Sequence, residues 1–153
     1  MKLTIRPMQQ ADAECIARWH YDGPYVFYDM ANDEDDLAEL MDPRRRENAY
    51  YAAVDSDGSL VGFYCFIQDG STVELGLGLR PDLTGKGLGL NFLETGLAFA
   101  RQRFSPKMFR LSVAAFNQRA IKVYMKAGFQ PTRRYEQRTN GGVFDFVEMT
   151  RDA

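Results

Sequence analysis

The chain has 153 residues, 45% of them hydrophobic and 26% charged, enough for one domain with a real core and too few for two ordinary ones. Its 19 Lys and Arg against 21 Asp and Glu leave a formal net charge of -2, which argues against a nucleic-acid binder, usually rich in basic side chains. No run approaches the roughly 20 apolar residues of a membrane span, the first apolar run is too short for a signal peptide, and His20 with Cys15 and Cys65 makes no metal-ligand set. Each cysteine lies in an apolar stretch and reads as a buried free thiol, consistent with a reducing, cytoplasmic setting.

Residues 3–6 read as a first strand stopped by Pro7, and 11–19 as a helix with Asp12 and Glu14 near its start, where the dipole favours acids. Residues 19–28 then crowd Trp19, Tyr21, Tyr25, Phe27 and Tyr28 around Gly23-Pro24. Two readings stand: a loop folded onto the core, or one wall of a substrate pocket, where rigid aromatics supply contact area at low entropic cost. The acidic run at 33–36 starts a helix reaching 40 or 41. If those acids border the aromatic loop, they favour a cationic substrate. Residues 42–46 form a basic, solvated turn. Strands at 50–54 and 60–67 flank a hairpin turn at 55–58.

The stretch 72–104 organises the rest. Val73, Leu75, Leu77 and Leu79 alternate with Thr72, Glu74, Gly76 and Gly78, the period of a strand with one face in a core. Pro81 ends the strand, the glycines of 84–89 follow, and 90–103 has helical apolar spacing. A strand at 108–114, a helix at 117–127 capped by Gly128, and a hairpin of 129–138 and 143–150 around Asn140-Gly141-Gly142 complete the chain. The order is that of one α/β (α+β) domain over 1–153. It has a single mixed, mostly antiparallel sheet of six to seven strands flanked by about four helices.

A glycine turn entering a helix presents backbone N–H groups that lack intrahelical partners, and the helix dipole adds positive potential, so an anion can dock there. A Walker A loop is excluded because Arg80 and Gly87 stand where it needs Gly and Ser or Thr. The dinucleotide fingerprint is excluded because Leu90 occupies its small-residue position. What remains, Thr84-Gly85-Lys86-Gly87-Leu88-Gly89, resembles motif A of the GNAT superfamily of N-acetyltransferases, with Thr84 in place of Arg or Gln. A threonine hydroxyl can still donate to an oxyanion there. The run from Asn117 through Ala120 and Tyr124 to Gly128-Phe129 is similar to motif B of the same superfamily, and the resemblance covers nearly the whole chain.

The resemblance implies acetyl coenzyme A as cosubstrate, with its pyrophosphate on the main chain of Gly85, Lys86, Gly87, Leu88, Gly89 and Leu90. It implies that the pantetheine arm lies along Leu77, Gly78 and Leu79, that Asn117 and Ala120 sit beside the arm, and that the Tyr124 hydroxyl faces the sulfur. Direct transfer to a primary amine follows. Glu74 is the candidate base because an amine must lose a proton to attack, and a main-chain N–H near Leu77 or Leu79 is the candidate oxyanion donor. Lys86 could add a point charge. Trp19, Tyr21, Tyr25 and Tyr28 are candidate acceptor contacts. The acceptor is a small amine such as a polyamine or aminoglycoside, or a peptide amine, with no metal, nucleic acid or membrane involved and a monomer or homodimer as the assembly. A noncatalytic module that binds coenzyme A or another acyl thioester is the alternative.

Overall fold

Alternation along the central strand decides how the layers stack. The computed structural model describes residues 2–153. Seven strands, β1 (Thr4–Pro7), β2 (Tyr50–Val54), β3 (Leu60–Asp69), β4 (Thr72–Leu79), β5 (Met108–Ala114), β6 (Gln130–Thr139) and β7 (Gly142–Asp152), form one sheet in the order β1-β2-β3-β4-β5-β7-β6. Every neighbouring pair is antiparallel except β4 and β5, which the crossover helix α4 (Gly89–Phe104) joins.

Val73 and Leu75 point into the larger core with Tyr64, Phe66, Phe109 and Leu111. Against them lie Phe92, Leu93, Leu97 and Ala100, the apolar stripe of α4, and the partly buried Ile121 and Val123 of α5 (Gln118–Lys126). The Tyr64 ring stacks on Phe92 with centroids 4.5 Å apart, and its hydroxyl donates to the Phe92 carbonyl at 2.6 Å. Each such fully buried ring contributes about 2–3 kcal/mol. The opposite face carries Tyr50 and Phe63 under α1 (Gln10–Ala17) and α2 (Glu34–Met41), which add Ala13, Ile16 and Leu40. Gln9 and Asp12 form a capping box at the start of α1, and Asp33 caps α2 by accepting from the Asp36 N–H at 3.0 Å.

Four local expectations change. Residues 42–46 are solvated only in part: Pro43–Arg46 is one helical turn, α3, in which Pro43, Arg44 and Arg45 are exposed but Arg46 is only 5% exposed. Its guanidinium donates to the Leu40 carbonyl at the end of α2 at 2.5 Å and to Gln10 Oε1 at 2.7 Å, so a basic side chain caps a helix from inside. Pro7 does not stop β1 but pairs with Tyr51 within it, tolerated because β1 is an edge strand. Helix α1 ends at Ala17, and Trp19 turns onto Phe63 instead. Both cysteines are free, as expected, but half-buried rather than buried. The terminal hairpin turns through Asn140 and Gly141, both with positive φ (51° and 75°), as a two-residue Asn-Gly turn requires. No helix among the described residues is long and apolar enough to cross a membrane.

Candidate active site

Strands β4 and β5 pair at only three positions, Thr72 with Met108, Val73 with Phe109 and Glu74 with Arg110, and then diverge. On their outer sides each stays paired, β4 with β3 as far as Leu79 and β5 with β7 as far as Ala114. The Arg80 N–H donates to the Val61 carbonyl on the β3 side. By strand alternation, the main-chain groups of Leu75, Leu77 and Leu79 therefore face the gap. The gap opens into a cleft of about 1010 Å³. Gly78, which faces away from the larger core, is bare for a packing reason: a Cβ there would lie 2.4 Å from the Phe63 ring.

Where β4 ends, Arg80 grips Asp82 through Nε (2.6 Å) and Nη2 (3.1 Å) and donates to the Leu60 carbonyl. That folds Pro81–Leu83 into one 3₁₀ turn and delivers the chain to the glycines. Gly85 and Gly87 have φ of +71° and +77°, which only glycine adopts without strain, and α4 then starts with no side-chain cap. The cradle therefore fits an anion: open backbone at a helix N-terminus, with space over Gly87 and the Arg119 guanidinium beside Gly85. The Thr84 hydroxyl is not free to donate there, because its one proton goes to the Pro81 carbonyl at 2.7 Å. Lys86 and Leu88 do not line the cleft. Lys86 is exposed, and its charge acts on Asp82.

At the other side of the gap Asn117 caps α5, accepting from the Ala120 N–H at 3.1 Å, and donates from Nδ2 to the Tyr28 hydroxyl at 2.9 Å. One Nδ2 hydrogen remains for a ligand. Tyr124, one turn beyond Ala120, lines the cleft, and burial and the neighbouring Tyr28 push its phenol well above the ordinary value. It is a protonated donor at any physiological pH. Glu74 faces the same cleft with Oε1 held by Arg110 Nε at 3.4 Å, while Arg110 also binds Asp69 and reaches Glu148. Burial, against the hydrogen bond from Tyr50, pushes the Cys65 thiol up to about 12, so this cleft thiol is a poor nucleophile at neutral pH.

Trp19, Tyr21, Tyr25 and Tyr28 all line the cleft, and Trp19 also packs onto the core against Phe63. Asp29 fixes the aromatic segment, accepting from the Tyr21 N–H at 2.8 Å and lying 2.7 Å from His20 Nδ1. The Tyr21 hydroxyl donates to the Leu79 carbonyl at 2.6 Å, and Asn140 of the hairpin donates to the Phe27 carbonyl. Asp29, Asp33, Asp35, Asp36 and Glu39 share the cleft wall. Asp29 and Glu39 were not singled out in the sequence, and neither was Arg119, which sits beside the glycine turn. The available signal for Arg119 was a cation in the first turn of α5, where the helix dipole disfavours it.

The sequence profile of the Acetyltransferase (GNAT) domain matches residues 2–130. The chain belongs to the GNAT acetyltransferase family. Among GNAT proteins, a mycothiol acetyltransferase of Clavibacter sepedonicus is 37% identical over 79 residues, 51% of this chain, and the match spans about a quarter (26%) of that protein. A spermidine N-acetyltransferase chimera of Vibrio cholerae SpeG and hSSAT superposes with a TM-score of 0.80 at 22% identity, over 98% of this chain and 95% of the other. The Vibrio cholerae spermidine N-acetyltransferase, solved with CoA and spermine, gives 0.78 at 22% identity over the same shares. At these identities the structures show a common GNAT fold.

Proposed function

We propose that the protein is an acetyl-CoA dependent N-acetyltransferase acting directly on a primary amine of a small polycationic acceptor. The observation that carries the reading is the gap between β4 and β5. It joins, in one cleft, a strand edge that β5 leaves unpaired beyond Glu74, an uncapped helix N-terminus behind two left-handed glycines, and a half-buried protonated tyrosine. A bound acetyl-CoA would supply an activated thioester. The main chain of Gly85 to Leu90 would hold its pyrophosphate, Leu77 and Leu79 would pair with its arm, and Asn117 would offer its remaining N–H. A main-chain N–H that faces the gap, that of Leu77 or Leu79, would receive charge developing on the acetyl oxygen. Tyr124 donates to the departing sulfur, and Glu74, through its unengaged Oε2 or a water, accepts the amine proton. The high Cys65 value favours direct transfer over a relay through a thiol.

The acidic wall supports the acceptor class. Partial shielding from water, with the charges of Asp33, Glu39 and Asp35, holds the Asp36 carboxyl above its ordinary value. A carboxyl raised in the fold costs stability once it ionises, so the cost is present at neutral pH and disappears as pH falls through its folded value. Asp36→Asn is therefore expected to raise Tm at pH 7 while weakening the KM for a polyamine roughly 3- to 10-fold, about 1 kcal/mol. Scanning calorimetry and steady-state kinetics read the two opposite signs. The free half-buried thiols fit a cytoplasmic setting.

The test of the proposal is thermal unfolding with coenzyme A or acetyl-CoA, followed by thiol release with a panel of polyamines, aminoglycosides and peptide amines. At 100 times its Kd, either ligand should add about 2.7 kcal/mol of stability. Turnover of polyamines above peptide amines is the expected result. Absence of any shift at millimolar ligand would refute the cofactor reading, and binding without turnover of any amine would refute the enzyme reading.

A further inference from the structure

Resting on the proposed cofactor site, we infer that Arg119 of α5 is the residue that binds the cofactor's pyrophosphate, supplying from a neighbouring helix the side-chain charge that Thr84 does not. Three observations lead there. The position that opens the glycine turn is neutral, and its hydroxyl proton is already spent on the Pro81 carbonyl, so no donor comes from that side chain. The Arg119 guanidinium reaches the turn from outside: a Cβ placed on Gly85 would lie 3.3 Å from its Nη1. Among the described residues the Arg119 side chain makes no hydrogen bond or ion pair, and its guanidinium carbon lies 4.0 Å from the centroid of the Tyr25 ring.

The geometry has a chemical logic. An exposed arginine in the first turn of α5 opposes that helix's dipole and gains nothing from a carboxylate. Stacking on Tyr25 fixes the plane of the guanidinium while leaving its N–H edge free. A planar, pre-oriented fork beside two left-handed glycines matches the paired oxygens of a diphosphate, which it can bind in a bidentate fashion. Lys86 cannot serve this purpose, since it is exposed outside the cleft wall.

The experiment is isothermal titration calorimetry of the full chain with coenzyme A, dephospho-coenzyme A and pantetheine, using wild type, Arg119→Gln and the double variant Arg119→Gln with Thr84→Arg. Melting curves without ligand establish that each variant folds. The expected result is a loss of about 10- to 100-fold for Arg119→Gln toward both coenzyme A and dephospho-coenzyme A, none toward pantetheine, and substantial recovery when Thr84→Arg restores a guanidinium to the turn. Unchanged coenzyme A affinity in Arg119→Gln overturns the assignment while leaving the proposed function intact. A loss confined to coenzyme A overturns it too, because the contact would then be to the 3′-phosphate. Failure of the wild type to bind any of the three ligands refutes the proposed function and this inference with it.

Discussion

Replacing Tyr124 with Phe is expected to lower kcat about 100-fold or more while changing coenzyme A affinity by less than about threefold. The ring would stay where it is, half-buried against Phe129 at 6.2 Å between centroids, so only the hydroxyl is lost. Burial and Tyr28 keep that hydroxyl protonated far beyond neutral pH, which suits it to donate to a leaving thiolate and rules it out as a base. Glu74→Gln is the companion variant. If its carboxylate takes the amine proton, kcat/KM at pH 7 falls about tenfold or more with the cofactor Kd unchanged. Steady-state kinetics over pH with calorimetric Kd values separate the two roles. A Tyr124→Phe enzyme with normal kcat would remove Tyr124 from the chemistry, and a normal Glu74→Gln profile would leave Glu74 as the partner of Arg110 only.

Gly96→Ala is expected to destabilise the protein by about 1–3 kcal/mol, against what helix propensity alone would give. In an ordinary helix interior the change gains about 1 kcal/mol. Here the new Cβ would lie 2.4 Å from Tyr64 Cε1 and 2.7 Å from Cδ1. Tyr64 cannot step aside. It is fully buried, lies between Phe66 and Phe92, and is tied through its hydroxyl to the Phe92 carbonyl. Urea titration or thermal melting measures the loss, with a Tm drop of roughly 2–10 °C for a chain of this size. Adding Tyr64→Leu should give a double variant that loses less stability than the two single losses sum to, the signature of a direct contact. An unchanged or higher Tm would mean that α4 does not sit this close to β3.

What the sequence made legible is what short-range physics determines. The limits of β4 came out as read, because alternation over eight residues is a local signal, and the Asn140-Gly141 turn did so because only a few residue types accept its backbone angles. The seven-strand mixed sheet and the family followed from motifs whose glycines and spacing are local too. The segment 19–32 was ambiguous because its structure rests on partners far along the chain: Tyr21 with Leu79, Tyr28 with Asn117, and Phe27 with Asn140, 58, 89 and 113 positions away. Arg46 reads as surface charge until α2 ends beside it. Thr84 could be assigned a donor role only while the Pro81 carbonyl was out of view. Gly78 lines the cleft and is also kept bare by the Phe63 ring, a packing demand that alternation along the strand does not reveal.

Three tyrosines of the aromatic segment each hold a residue of the opposite half of the cleft: Tyr21 the Leu79 carbonyl, Tyr25 the Arg119 guanidinium, Tyr28 the Asn117 amide. The segment is therefore not an interchangeable cassette. Replacing the segment with one that lacks these tyrosines would cut all three ties, so under the proposed function a change made to alter acceptor range would alter thioester affinity at the same time. Selection on one half of this cleft acts on the other, and a library that varies the acceptor side must keep or re-create those three anchors.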